Sequence, residues 1–396
     1  MSAVTLSKHR PRKFWGWGYN DDQLTSAEQD AVAARTRQLA GRDGLAPGAP
    51  PKTSDFDLRK PRVEAPPALA SRFSTTPHDR LLHAYGRSFP DILRMWMRDV
   101  PNPPDLVAFP ENEEEIAAVL DWAGRNNIAV IPVGGGSSVV GGVEPAVGDG
   151  YAATASLDLE CFDKVHEIDR TSRAARIGAG IYGLALEDQL RPQGLTLRHY
   201  PQSFQFSTLG GWIVTRSGGH YATAKTHIDD FVESTRMVTP SGVMESRRLP
   251  GSGAGPAPDR MVMGSEGILG IVTEAWMRLQ DRPKFRAGAS VRFAGVFAAA
   301  RAVRALSQSG LDPTNCRLLD QDEVAFNDVG DRKSPTLILA FESADHDVGA
   351  WMARALELAS DHGGTVDTGE KSGGSDAASV WRNAFIRMPL WRDSMI

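Results

Sequence analysis

Residues 128–142 read IAVIPVGGGSSVVGG, an apolar run that ends abruptly in three glycines and two serines. The run from Ile128 to Val133 has the length and composition of a strand, and nothing after the glycines reads as a helix. Successive glycines carry no side chains to shield their amides, so neighbouring N–H groups can turn toward one anion, with the Ser137 and Ser138 hydroxyls as added donors. The absence of a lysine after the glycines argues against an NTP-binding P-loop. The reading taken is a loop that holds a diphosphate on its backbone amides; the alternative is a glycine-rich turn without a ligand.

A second stretch competes for the same role. Residues 176–183, RIGAGIYG, place Gly178, Gly180 and Gly183 in a literal G-x-G-x-x-G. A dinucleotide fingerprint also needs a long helix behind the glycines and an acidic residue about 20 positions on for the ribose. The helix that follows is only about two turns, and TLRHYPQSF (196–204) offers no Asp or Glu. This stretch therefore reads as a tight strand-to-helix turn.

Outward from the first loop, PDLVAFP (104–110) reads as a short strand. Residues 113–125 set Ile116, Val119, Leu120 and Ala123 on one helical face behind an acidic first turn. With residues 128–133 this makes a β-α-β unit. Strand signals follow at ASLDL, KVHEID and RAARIGAG, then a short helix near 184–190, a strand, turn and strand over 229–246, and a last strand to about Leu279. After QDRPKF, a strand near Val291, a helix near 298–306, the strand TLILAFE and a helix near 350–362 predict a second α/β domain with no closing element visible. Upstream, Ser26 and Gln29 form a capping box for a helix to about Leu39, and the Pro- and Gly-rich residues 44–68 read as a wrapped arm. The expected divisions are an N-terminal extension and arm over 1–100, a domain carrying the glycine loop over 101–282 and an incomplete second α/β domain over 283–396.

Composition narrows the function. A net charge of −5 supplies no basic field for a phosphate backbone, so nucleic acid is excluded as a partner. Two cysteines, Cys161 and Cys316, lie far apart with no C-x-x-C spacing, which fits a reduced cytoplasmic protein. No run approaches the length of a membrane span, and no apolar signal core opens the chain. The basic SKHRPRK (7–13) followed by FWGWG could touch an anionic membrane surface; the reading taken is a tail that tucks Trp15 and Trp17 onto the domain. Neither G-x-S-x-G nor H-E-x-x-H occurs. His220 and His227 read as polar loop residues, and no metal is expected.

Three further strings carry a resemblance. PVGGGSS, QFSTLGGW, TRSGGH and MGSEGILGIVTEA, in this order and spacing, resemble the vanillyl-alcohol-oxidase (PCMH-type) family of FAD-binding proteins. KFWGWG, AYGRSFPDILRM, STLGGW and FIRMP narrow it to the alkyldihydroxyacetonephosphate synthase branch. The resemblance implies an α/β (α+β) fold, with a two-subdomain FAD-binding domain followed by a cap that is incomplete here. Pro132, Val133, Gly134, Gly135, Gly136, Ser137 and Ser138 would form the pyrophosphate loop. Gln202, Ser203, Phe204, Gln205, Phe206, Ser207 and Thr208 would pass close to the flavin, Thr215, Arg216, Ser217 and Gly218 would touch it again, and Glu266, Gly267, Ile268, Leu269, Gly270, Ile271 and Val272 would complete the pocket.

The same resemblance implies a reaction. Relatives with histidine-linked flavin carry the histidine where this chain has Ser137, so FAD would be held non-covalently. In the synthase branch, acyl-dihydroxyacetone phosphate exchanges its acyl chain for a fatty alcohol through a flavin N5 adduct, with no net redox change; this is a step of ether lipid synthesis on a lipid-like small molecule. Arg387, in FIRMP, would pair with the substrate phosphate. Branch members continue to a histidine-rich segment and a tyrosine that this chain lacks, so a C-terminal truncation is expected. The alternatives are an FAD-dependent oxidase or dehydrogenase of a 2-hydroxy acid, and a non-catalytic flavoprotein. Homologues of this kind often pair, so a homodimer is compatible with the reading, as is peripheral membrane contact.

Overall fold

The computed structural model describes residues 10–22, 24–44, 48–220, 226–249, 255–327, 329–367 and 388–391. The β-α-β unit forms where its pattern places it. Asn112 caps the helix Glu113–Arg125 by accepting from the Glu115 amide, three glutamates sit in its first turn against the positive end of the dipole, and Ile116, Val119 and Ala123 are buried beneath it. The strand Ile128–Val133 runs parallel to Ala153–Asp158 over six residues in register, and Leu106–Ala108 lies parallel on the other side of that strand. Phe73–Ser74 completes this four-stranded sheet, antiparallel to Leu106–Ala108. Ile128–Val133 is an edge strand, which is why Pro132 is tolerated without a lost ladder bond.

Behind it stands a five-stranded antiparallel sheet, in the order Val165–Asp169, Ala174–Gly178, Ile271–Arg278, Val232–Thr239, Gly242–Glu245. Its apolar face packs on the helices Gly183–Leu190 and Leu209–Val214, with Ile177, Leu186, Leu209, Trp212, Phe231 and Met277 buried. The G-x-G-x-x-G stretch is the turn into this core: a side chain at Gly180 would strike the Leu159 carbonyl, and one at Gly183 would strike Phe204. The two sheets are tied by Glu113, which accepts from Arg236 at 2.7 Å and from the Thr273 hydroxyl at 2.5 Å.

The third sheet is antiparallel, in the order Asn315–Leu319, Thr336–Ser343, Phe285–Arg292, Thr365–Val366, with the helices Val296–Ser307 and Gly349–Ser360 contributing Ala299, Ala302, Leu306, Met352, Ala355 and Ala359 to its core. Its chain order is β-α-β-α-β-α-β, the middle helix being the short Gln321–Phe326, and its last strand is two residues long. The unit meets the two-sheet domain that precedes it through the Arg198–Glu342 ion pair and through Asn315, whose Nδ2 lies 3.2 Å from His220 Nε2.

The N-terminal helix runs Ser26–Ala40, one residue out of phase with the sequence reading. Thr25, not Ser26, accepts from the Glu28 amide, and the Glu28 carboxylate accepts from the Thr25 amide. The hydroxyl residues Thr25 and Ser26 are adjacent, and only the backbone decides which one caps. Trp17 is buried with Ile92 and Phe206, and Trp15 packs edge-on against Trp96, so both aromatics tuck onto the domain. Among the described residues no helix is long and apolar enough to cross a membrane.

Candidate functional site

The glycine loop opens onto a cavity of about 290 Å³ between the four-stranded and five-stranded sheets. Residues 132–138 line one wall; Ser203, Ser207 and Thr208 line a second; Thr215, Ser217, Glu266, Gly267, Gly270 and Val272 close it. The loop lies flat against residues 206–208. A Cβ on Gly135 would stand 2.0 Å from the Phe206 carbonyl oxygen, and one on Gly134 2.1 Å from Thr208 Oγ1. Glycine is required at both positions by this approach, whatever occupies the cavity.

Hydrogen bonding shows what the loop offers. Among the described residues the amides of Gly134, Gly135, Gly136, Ser137 and Ser138 donate to no protein acceptor. Thr208 Oγ1, also on the cavity wall, is buried without a partner. Five consecutive unpaired donors in a loop that lines the cavity, with an orphaned hydroxyl on the adjoining wall, suit an anionic group such as a diphosphate. Among the described residues no group of three His, Cys, Asp or Glu could hold a metal ion.

The loop's rear is held by side chains. Arg12 donates from Nη1 to the Gly135 carbonyl at 3.1 Å and from Nη2 to Asp158 Oδ2 at 3.0 Å. Asp158, wholly buried, also meets His83 Nε2 at 2.9 Å and accepts from the Glu160 amide. Burial alone would raise the Asp158 carboxyl; the His83 hydrogen bond and the Arg12 charge outweigh it and hold the carboxyl below its ordinary range. Arg87 donates its amide to the Ser138 carbonyl at 2.7 Å and its guanidinium to the Lys13 carbonyl at 3.1 Å.

Behind the opposite wall, His199 is buried and lies 2.7 Å from Ser217 Oγ through Nε2. Burial, reinforced by repulsion from His227, pushes its imidazole down to about 4, so the ring is neutral at pH 7. It sets a hydroxyl that lines the cavity.

Several residues expected at the cofactor do not line the cavity. Phe204 stacks on Trp212 in the core, 5.9 Å between centroids, and Phe206 turns to Trp17. Arg216 pairs with Asp229 at 2.6 Å, Gly218 bridges to His227, and Ile271 joins the core between the sheets. Ile268 and Leu269 are exposed, Gln202 reaches Met388, and Gln205 also stays off the lining. Neighbours in an irregular segment point to different sides, so quoting whole strings overcounts. Arg387 lies outside the described residues. Sequence reasoning missed Val139, Val140, Leu159, Gly210, Gly211 and Trp212 on the lining; the last three stand in the quoted STLGGW and were within reach. It also missed Arg12, Asp158 and His83, which no local motif links.

Comparison with known proteins agrees with this geometry. Residues 104–246 match an FAD binding domain, and residues 282–393 match the C-terminal domain of FAD linked oxidases. The alkyldihydroxyacetonephosphate synthase of Dictyostelium discoideum is 39% identical over 248 residues, 63% of this chain and 40% of that protein. The mitochondrial D-lactate dehydrogenase [cytochrome] of Arabidopsis thaliana is 28% identical over 86% of this chain and 58% of its own length. A solved alkyldihydroxyacetonephosphate synthase superposes with a TM-score of 0.81 at 27% identity, covering 96% of this chain and 77% of that one. The alignment to the Dictyostelium protein thus spans about two fifths of that relative's length. With the glycine loop inside the first matched segment and the third sheet with its helices inside the second, the chain carries an FAD binding domain followed by the C-terminal domain of FAD linked oxidases.

Proposed function

We propose that this chain is an FAD-dependent enzyme of the alkyldihydroxyacetonephosphate synthase type, exchanging the acyl chain of acyl-dihydroxyacetone phosphate for a fatty alcohol. The observation that carries the cofactor half is the row of five unpaired amides in the loop that lines the cavity. The amides of residues 134–138 hold the diphosphate, the Thr208 hydroxyl adds a sixth donor, and small residues at 210, 211 and 217 let a flat ring lie against the backbone. Bound FAD supplies an electrophilic ring. Ser137 stands at the loop position used for a histidine linkage in some relatives, which supports non-covalent binding. Support for the reaction itself is the 39% identity to the Dictyostelium synthase and the fold match over 96% of the chain. A phosphate dianion entering an apolar pocket needs a cation, and Arg387 is the proposed partner. The substrate is lipid-like, which is compatible with peripheral membrane contact and with a homodimer.

A second reading is an FAD-linked dehydrogenase of a 2-hydroxy acid, favoured by the D-lactate dehydrogenase alignment over 86% of the chain. The deciding experiment takes purified protein with flavin absorbance and adds, without oxygen, a panel of 2-hydroxy acids and then acyl-dihydroxyacetone phosphate with a fatty alcohol. Ether-lipid product with an unbleached flavin is the expected result. Bleaching by a hydroxy acid without ether product would replace the synthase reading with the dehydrogenase.

A further inference from the structure

We propose that Arg12, from the N-terminal arm, is a positioning residue for the cofactor's diphosphate: it sets the peptide that presents the Gly136 amide to the cavity. The inference rests on the reading of the glycine loop as the FAD diphosphate site. It starts from the arm's geometry. Residues 12–19 form a tight hairpin, with Arg12 bridged to Tyr19 and the Lys13 amide bonded to the Gly18 carbonyl at 2.9 Å. Phe14 is buried among Leu81, Leu82, Tyr85 and Met95, and Trp17 against Ile92 and Phe206, so the hairpin is anchored on both faces. Between these anchors, Arg12 reaches 123 residues along the chain to the Gly135 carbonyl.

The direction of that contact matters. No peptide bond among the described residues is cis, and in a trans peptide the C=O and the following N–H point opposite ways. A guanidinium on the Gly135 carbonyl therefore turns the Gly136 N–H away from Arg12, and that amide has no protein acceptor. Arg87 repeats the device three residues on: its amide holds the Ser138 carbonyl at 2.7 Å and so orients the Val139 N–H. The second Arg87 contact, to the Lys13 carbonyl, ties both anchors to the hairpin. A charged donor on a carbonyl also polarises its peptide, which strengthens the bond made by the N–H at the other end. The Arg12 side chain is 12% exposed, and its second nitrogen is fixed by a fully buried Asp158, so the guanidinium is held in place before any ligand arrives. A loop whose glycines leave it soft in isolation is preorganised from behind.

The test uses the full chain stripped of flavin, titrated with FAD and, separately, with riboflavin, which lacks the diphosphate. Arg12→Met keeps the arm's length and removes the donor; Arg12→Lys keeps a charge on the same strand of the hairpin. FAD affinity is expected to fall by about 10- to 100-fold in the Met variant, the range set by one hydrogen bond to a charged group, and to recover in part in the Lys variant. Riboflavin binding is expected to hold; the apo protein's thermal midpoint is expected to fall in Arg12→Met, because buried Asp158 loses its cationic partner, so both titrations are run well below that variant's midpoint. Equal losses for FAD and riboflavin, or unchanged FAD affinity in Arg12→Met, would overturn the assignment. Failure of the unmodified chain to take up FAD would instead overturn the reading of the loop, and this inference with it.

Discussion

Replacing Gly135 by alanine tests whether loop geometry governs cofactor binding. The new Cβ would lie 2.0 Å from the Phe206 carbonyl oxygen and 2.8 Å from Ser207 Cα. A carbon-to-oxygen contact settles at about 3.3 Å, so the loop or the facing segment must move by about 1.3 Å. Both sides of the contact are backbone, and no rotamer change relieves it. A shift of that size breaks the alignment of at least two amides with a bound diphosphate, at about 1.5–3 kcal/mol each for bonds to a charged group. The expected loss is about 10²- to 10⁴-fold in FAD affinity, with about 1–3 kcal/mol of folding stability lost to overpacking. The assay is FAD fluorescence quenching on apo protein, with urea unfolding in parallel. Gly124→Ala serves as control: that glycine lies on the helix Glu113–Arg125 with open space around its Cβ, so stability should rise by up to about 1 kcal/mol and FAD binding should not change. A folded Gly135→Ala protein that binds FAD within about threefold of the parent would refute this reasoning, since an effect that small is under about 1 kcal/mol.

Three other outcomes are expected. Thr208→Val removes a buried hydroxyl that has no protein partner, so the apo protein should gain up to about 1 kcal/mol while FAD affinity drops several-fold; weaker apo stability together with unchanged affinity would contradict the role assigned to the hydroxyl. His199 stays neutral when folded down to about 4, well below its ordinary 6.5. The unfolded chain therefore binds the extra proton first as pH falls, and stability declines between pH 6.5 and 4, by about 2 kcal/mol from pH 7 to 5; urea midpoints of the parent and of His199→Gln should converge on acidification, and parallel midpoints would argue against it. Glu113→Gln weakens the tie to Arg236 and Thr273 that joins the two sheets; because the pair is partly exposed the expected loss is about 1–3 kcal/mol, measured by urea unfolding.

The elements legible in the sequence are those whose information is local. The helix Glu113–Arg125 carries its own cap, its acidic first turn and its apolar face, and the strand Ile128–Val133 has β-branched character bounded by glycine, so both read directly to their observed ends. The glycine loop was recognisable for the same reason: the amides it offers belong to consecutive residues. The rejection of the second glycine string as a fingerprint followed from the short helix behind it, and the structure makes it a turn buried against Leu159 and Phe204.

What only the tertiary structure decided depends on partners far away along the chain. Nothing near Arg12 indicates Gly135 or Asp158, and nothing near Glu113 indicates Arg236, 123 residues on. Within QSFQFST the choice between cavity and core is made by Trp212 and Trp17, which claim Phe204 and Phe206 and leave Ser203, Ser207 and Thr208 to the lining. The strand Thr365–Val366 exists because Val291 and Arg292 pair with it; two residues carry no periodicity of their own. Sequence thus determined which segments present donors, because backbone chemistry and period are set by neighbours. The tertiary structure determined which way those donors face, because a peptide's orientation is set by whatever holds its carbonyl.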